Sequence, residues 1–283
     1  MSVSIATAIK EAAEIFRAHG IVEPRLEAGL LLSYTLGRDR TFMIAHSERE
    51  ISPEQFATFQ NFLSRRVAGE PLQYITGHQE FFKLSFEVTP DVLIPRPETE
   101  LIVETVLDLF PDDARFRFAD VGTGSGCIAI SILNERRHAQ ATAIDKSARA
   151  LEVVHRNATR HQVLPRLRLL HSDLFSELGP SETFDLIVSN PPYVPDEEMS
   201  GLQREVQREP RSALAGGKDG LEVIRGLMRA APPHLQCPGY LVFEFGINQE
   251  GAITEFVNKD VWDLIEIRRD LQQIPRMVVL RKK

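Results

Sequence analysis

From residue 116 to the carboxyl end the chain repeats one pattern, in which a short apolar run gives way to a polar or glycine-rich break and then to apolar residues at helical spacing. The apolar runs predict strands over 116–121, 141–145, 168–171, 184–189, 240–245, 262–267 and 277–281. Helices fit between most of them, over 127–136, 147–160, 221–231 and 249–257. A parallel pair of strands needs a long crossover, which a helix supplies, so this alternation specifies an α/β fold: a seven-stranded, mostly parallel sheet covered on both faces. The last two strands have no helix between them and are expected to pair antiparallel. In such sheets ligands bind outside the carboxyl ends of the strands, where the strand order reverses.

The first part of the chain reads differently. Ile5, Ala8, Ile9, Ala12 and Phe16 fall on one helical face in a run that ends at Gly20, and a second helix over 24–36 is closed by Gly37. At Ser52-Pro53-Glu54-Gln55 a serine can cap, proline suits the first helical position, and glutamine can complete a capping box. Phe56, Phe59, Phe62 and Leu63 follow as an apolar stripe that belongs to a core. Residues 1–76 are therefore expected to form a helical domain. Past Gly77 the period becomes two at Phe82, Leu84, Phe86 and Val88, Thr89-Pro90-Asp91 interrupts, and Val92-Leu93-Ile94 is apolar again, which predicts a β-hairpin linker over 77–94. A helix from Pro95-Arg96-Pro97-Glu98 to about Phe110 opens the sheet domain, 95–283, with Glu98 and Glu100 in its first turn.

Charge and cysteine usage restrict the partners. The net charge is −7, and residues 1–75 carry 8 Lys/Arg against 9 Asp/Glu, so neither the chain nor its helical part offers a basic footprint for nucleic acid. Stable nucleic-acid binding is not expected. Two cysteines, Cys127 and Cys237, make neither a disulfide framework nor a metal set, so no metal is expected. Lys10 and Glu11 precede any long apolar stretch, which is not the order of a signal peptide, and no window reaches the ~18 apolar residues of a membrane span. A monomeric, cytoplasmic protein is expected.

The chemistry is written at four strand ends. The first strand leads through Asp120-Val121-Gly122-Thr123-Gly124-Ser125-Gly126 straight into a helix, and the glycines let the chain turn sharply and a ligand approach the main chain. The spacing is one residue shorter than the dinucleotide fingerprint, and no Gly-Lys-Ser/Thr follows, so phosphate need not be the target. Asp145 ends the second strand, where an acid can accept from two ribose hydroxyls. Asp173 and Leu174 follow the third, where an adenine can be hydrogen-bonded and covered. Ser189-Asn190-Pro191-Pro192-Tyr193 ends the fourth. Two prolines remove two donors and stiffen the turn, leaving the Asn190 side chain and the Pro191 carbonyl to accept both hydrogens of a planar NH2 group, with Tyr193 as a flat neighbour.

Together these residues resemble the S-adenosylmethionine-dependent methyltransferases that modify a planar exocyclic or amide nitrogen. Pro71-Leu72-Gln73-Tyr74-Ile75-Thr76-Gly77, Ile94-Pro95-Arg96-Pro97-Glu98-Thr99-Glu100, and Glu209-Pro210 followed by Ala213-Leu214, Gly216-Gly217 and Asp219-Gly220-Leu221 resemble the protein-(glutamine-N5) methyltransferase family over nearly the whole chain. The resemblance implies a Rossmann-like sheet that binds S-adenosylmethionine through Asp120, Gly122, Thr123, Gly124, Ser125, Gly126, Asp145, Asp173, Leu174 and Asn190 and releases S-adenosylhomocysteine. Leu174 stands where some relatives carry an aromatic residue, which implies a weaker contact with adenine. It implies catalysis at Asn190, Pro191 and Tyr193, and a substrate glutamine gripped by Asn190, Pro191, Pro192 and Tyr193. It also implies peptide chain release factors as substrates, through the glutamine of their Gly-Gly-Gln loop, with the helical domain recognising the substrate protein. A ribosomal protein or, disfavoured by the charge, DNA adenine are the alternatives.

Overall fold

The computed structural model describes residues 3–283 and divides the chain into two compact units, one reaching Gly77 and including Arg204–Arg208, the other made of His78–Gln203 and Glu209–Lys283. The first contains β1 (Val3–Ser4), α1 (Ile5–Ala18), α2 (Pro24–Leu36), α3 (Arg40–Ala45), β2 (Glu50–Ile51), α4 (Pro53–Val67) and α5 (Leu72–Thr76), with β1 and β2 antiparallel. Ser4 caps α1, Gly37 ends α2 in the left-handed conformation, and Ser52 with Gln55 forms the capping box of α4. The expected apolar stripes meet in one core that includes Ile5, Phe16, Leu31, Leu32, Phe59 and Leu63. Arg66 is buried beside it, 2.5 Å from Glu27 and 2.7 Å from Glu205. The helix starting at Ile5 ends at Ala18, before Gly20, and α3, α5 and the two-residue strands are too short to show a period.

The second unit opens with a hairpin, β3 (His78–Phe81) and β4 (Leu84–Glu87). This corrects the expected hairpin. Its turn lies at Phe82 and Lys83, both at positive φ, so Phe82 is a turn residue, and Val92–Ile94 forms no strand. Phe81 and Phe86 join the core of this unit, which makes the hairpin part of the sheet unit's packing. After a 3₁₀ turn at Pro97–Thr99 come α6 (Glu100–Leu109), β5 (Arg117–Val121), α7 (Cys127–Glu135), β6 (Gln140–Asp145), α8 (Ala148–Arg160), β7 (Leu167–His171) and β8 (Phe184–Ser189). Then follow α9 (Arg211–Leu214), α10 (Glu222–Ala230), β9 (Leu235–Glu244), α11 (Glu250–Phe256), β10 (Trp262–Arg269) and β11 (Pro275–Lys282).

Seven of these strands form one sheet in the order β10-β11-β9-β8-β5-β6-β7, parallel except for β11, which runs antiparallel to both its neighbours. All seven expected strands are present. β10 and β11 pair as expected, and β11 also inserts beside β9. The early start of β9 at Leu235, ahead of Pro238, was hidden because proline and glycine in a strand read as a break.

Alternation along the strands divides the core. Phe118, Ala143, Val188 and Val242 face α6, α7 and α8, whereas Ala119, Ile144, Ile187 and Phe243 face α10 and α11. The chain leaves β5 outward through β6 and β7 and returns to β8 on the other side of β5, so the order reverses between the carboxyl ends of β5 and β8. The ligand-binding end predicted from sequence is therefore a defined place.

Candidate active site

A cleft of about 290 Å³ opens at that reversal. Gly122, Thr123, Gly124 and Ser125 line it after β5, Asp145 after β6, Asp173 and Leu174 after β7, and Asn190, Pro191 and Pro192 after β8. Four strand ends, at residues 121, 145, 171 and 189 of the chain, thus converge on one space. Asp120, Gly126 and Tyr193 are not among its lining residues.

The reasons are visible in the bonding. Asp120 is fully buried behind the glycine turn, where one carboxylate oxygen accepts from the Thr123 hydroxyl at 2.7 Å and from the Ala129 amide at 3.2 Å, tying the first turn of α7 to the end of β5. Burial pushes its carboxyl up to about 7. Gly126, at φ 80°, packs its Cα against α8: a methyl group there would stand 2.9 Å from Val154. Gly122 and Gly124 also have positive φ, but the space where a Cβ would stand is empty at both. These two glycines keep the cleft open, and Gly126 holds the helix close.

The turn is not an anion nest. The amides of Gly122 and Thr123 donate to the Ile144 carbonyl, that of Gly124 to Asp145 at 3.0 Å, and that of Gly126 to the Thr123 carbonyl. Asp145 also accepts from the Ser147 amide at 2.9 Å, so two main-chain donors fix its carboxylate, while burial raises its pKa. Donors from a bound ligand can reach its remaining lone pairs. Open space at two glycines, a strand-end carboxylate and the buried, unpartnered Ser125 hydroxyl on the wall fit a neutral or cationic nucleoside. At Leu174, φ is 49°, and its side chain reaches Gly226 of α10, where a methyl group would come within 3.3 Å.

The Asn-Pro-Pro-Tyr turn is held from behind. Asn190 donates through Nδ2 to the Thr99 hydroxyl at 2.9 Å, so its Oδ1 is left to accept. Thr99 donates to Glu244 at 2.6 Å, and the Tyr193 hydroxyl donates to the other oxygen of the same carboxylate at 3.0 Å. Gln249 takes the Tyr193 carbonyl at 3.0 Å, and Ser189 bonds the Val121 carbonyl at 2.7 Å, joining the ends of β8 and β5. Burial pushes the Glu244 carboxyl up to about 6; burial and the adjacent Glu244 push the Tyr193 phenol well above its ordinary range. Arg96, which also lines the cleft, pairs with Glu209 at 2.5 Å, and Glu209 also accepts from the Ile94 amide at 3.0 Å.

Sequence reasoning missed Thr99, Glu244 and Gln249 as parts of this turn. Glu244 carries a signal, since it is the lone charge in Leu241-Val242-Phe243-Glu244-Phe245, and a carboxylate there must be paired. Asn157 was missed too. From α8 it bonds the amide and carbonyl of Glu87 in the hairpin and the carbonyl of Ser125 in the glycine turn.

Comparison with known proteins shows the family. Residues 7–77 match the model of the PrmC N-terminal domain, and residues 98–224 that of the methyltransferase small domain. The release factor glutamine methyltransferase of Koribacter versatilis is 42% identical over 92% of this chain and 91% of its own length, and that of Geobacter sulfurreducens 45% identical over 83% and 81%. Among solved structures, a methyltransferase from Pyrococcus furiosus shares the fold with a TM-score of 0.54 at 20% identity, over 79% of this chain and 98% of its own. A cleft at the reversal of a parallel sheet, an Asn-Pro-Pro-Tyr turn on its wall and similarity that runs through both units place this chain in the release factor glutamine methyltransferase family.

Proposed function

We propose that this chain transfers a methyl group from S-adenosylmethionine to the side-chain amide nitrogen, N5, of the glutamine in the Gly-Gly-Gln loop of a peptide chain release factor, in the cytoplasm. The observation that carries this reading is the orientation of Asn190. Its Nδ2 is taken by Thr99, so an amide oxygen beside the Pro191 carbonyl is offered to the cleft that Asp145 and the glycine turn share.

S-adenosylmethionine supplies an electrophilic methyl group on a sulfonium centre. Asp145 would accept from its ribose hydroxyls, Asp173 and Leu174 would hold its adenine, and Gly122, Thr123, Gly124 and Ser125, which line the same cleft, would leave it room along the main chain. A carboxamide nitrogen is a poor nucleophile because its lone pair is shared with the carbonyl. Asn190 Oδ1 and the Pro191 carbonyl accept its two hydrogens, fix the nitrogen in line with the methyl donor and favour the positive charge that develops on it. The C–N bond would form as the sulfonium S–CH3 bond breaks, with S-adenosylhomocysteine leaving, and one of those hydrogens would then pass as a proton to water. Tyr193 acts from behind, holding the turn through Glu244. The helical unit recognises the substrate protein away from the glutamine.

Incubation with S-adenosylmethionine and, in parallel, purified release factor, ribosomal protein and duplex DNA tests this, with mass analysis of each. Methylation of the release factor glutamine is expected, and methylated DNA beside unmodified release factor refutes the reading. Asn190→Ala should abolish turnover while leaving S-adenosylmethionine binding largely intact, since the other cofactor residues remain, whereas Asp145→Ala should weaken that affinity in calorimetry.

A further inference from the structure

Three side chains decide which end of the Asn190 carboxamide faces the cleft: Thr99, which lines it, and Glu244 and Tyr193, which do not. Glu244, 2% exposed at the end of β9, accepts from Thr99 on one carboxylate oxygen and from Tyr193 on the other. An ionised carboxylate only accepts, so both hydroxyl protons point at it. With its proton committed to Glu244, the Thr99 oxygen can only accept in its second contact, and that contact must be an N–H. Asn190 therefore turns Nδ2 towards Thr99 and Oδ1 away from it.

We propose that Glu244 is a positioning residue that, acting through Thr99, fixes the polarity of the Asn190 carboxamide so that an acceptor and not a donor meets the amide nitrogen to be methylated. This rests on the cleft being the glutamine site. A filler role would not call for a carboxylate, since Leu241, Val242 and Phe243 on the same strand are apolar and burying a charge costs several kcal/mol unless it is paired.

The groups around Glu244 make the device sensitive to acid. Thr99 and Tyr193 bond it, Arg276 on β11 favours its charge, Glu98 opposes it, and the Cys127 thiol of α7, pushed up to about 12 by burial, stays neutral. With the carboxyl up at about 6, Glu244 is ionised above that pH and orders the chain of donors as described. Below it, the protonated carboxyl can donate to Thr99, whose own proton is then free to bond Oδ1 and turn the amide around. Turnover should fall as pH falls through about 6.

The test compares wild type, Glu244→Gln, Thr99→Val and Thr99→Ser with purified release factor as substrate. Glu244→Gln keeps the volume but can donate as well as accept, so kcat should drop roughly 100-fold, the size of effect seen when a reacting group is misoriented. S-adenosylmethionine affinity should change less than about threefold, and the acid limb near pH 6 should vanish. Thr99→Val should lose a similar factor, Thr99→Ser should regain most of it, and the double variant Thr99→Val/Glu244→Gln should lose no more than either single one, as expected of residues acting through one bond. A Glu244→Gln enzyme with wild-type kcat and an unchanged acid limb overturns the proposal. If that variant does not fold, full turnover by Thr99→Val overturns it as well. If the wild type transfers no methyl to glutamine, the reading of the site has failed; if it does and these variants match it, the positioning role alone has failed.

Discussion

Two glycines of one turn should respond to the same substitution in opposite ways. Gly124 and Gly126 both lie at positive φ, 57° and 80°. Placing alanine in the left-handed region costs ~1–2 kcal/mol at either. Beyond that the sites part. An added methyl group at Gly124 meets nothing within 4 Å and, Gly124 being a lining residue, stands beside the cleft, whereas at Gly126 it stands 2.9 Å from Val154 and 3.0 Å from Ile130, both fully buried. Overpacking of that kind adds ~1–3 kcal/mol. Gly126→Ala should therefore cost about 2–5 kcal/mol and Gly124→Ala about 1–2. The chain has one tryptophan, Trp262, which is buried in the sheet unit, so its fluorescence in a urea titration reports that unit without the helical one. Binding should reverse the order, with Gly124→Ala weakening S-adenosylmethionine in calorimetry and Gly126→Ala leaving the affinity of the folded fraction near wild type. Equal losses of stability would refute the steric assignment, and equal affinities would refute the placement of Gly124 on the ligand side.

Asp120, pushed up to about 7 from an ordinary 3.8, binds its proton more tightly folded than unfolded, so its contribution is complete below about pH 3.8 and is lost as pH rises through about 7. The stability of Asp120→Asn relative to wild type should rise between about pH 4 and 8, by up to about 4 kcal/mol, read from urea midpoints at each pH. Asn157→Leu removes three bonds of 2.7–3.0 Å and leaves the Glu87 amide without its acceptor; a cost of about 2–4 kcal/mol and faster hydrogen exchange at that amide are expected. Arg66→Met leaves Glu27 and Glu205 unpaired at the edge of the helical core, and a loss of about 1–3 kcal/mol, seen as proteolysis within residues 3–77 before the tryptophan transition, is expected.

The strands and their parallel arrangement were legible because each is buried on both faces and reads as a compact apolar run. The four strand-end motifs were legible because each breaks such a run with residues that have no use in a core, such as Asp145 and Asn190-Pro191-Pro192. The bonds that hold the Asn-Pro-Pro-Tyr turn in place were not. Thr99 and Glu244 meet across 145 residues of sequence, and no local period encodes that meeting. The hairpin was misplaced because Phe82 looks like a strand residue, while its position is set by the turn it makes with Lys83. Asp120 sits where a ligand contact was expected, yet its side chain serves the helix behind the turn.

The position of β11 between β9 and β10 has a consequence during synthesis. A growing chain can pair β9 with β8 as soon as both have emerged, but the other edge of β9, with Leu241, Val242 and Phe243, waits for Pro275–Lys282. At translation speeds of roughly 5–20 residues per second, that edge stays open on the ribosome for a time on the order of seconds. An unpaired apolar edge is a template for wrong partners. The nascent chain is thus most vulnerable to aggregation just before its last strand is made, and Glu244 gains the strand that flanks it only when Met277 arrives opposite.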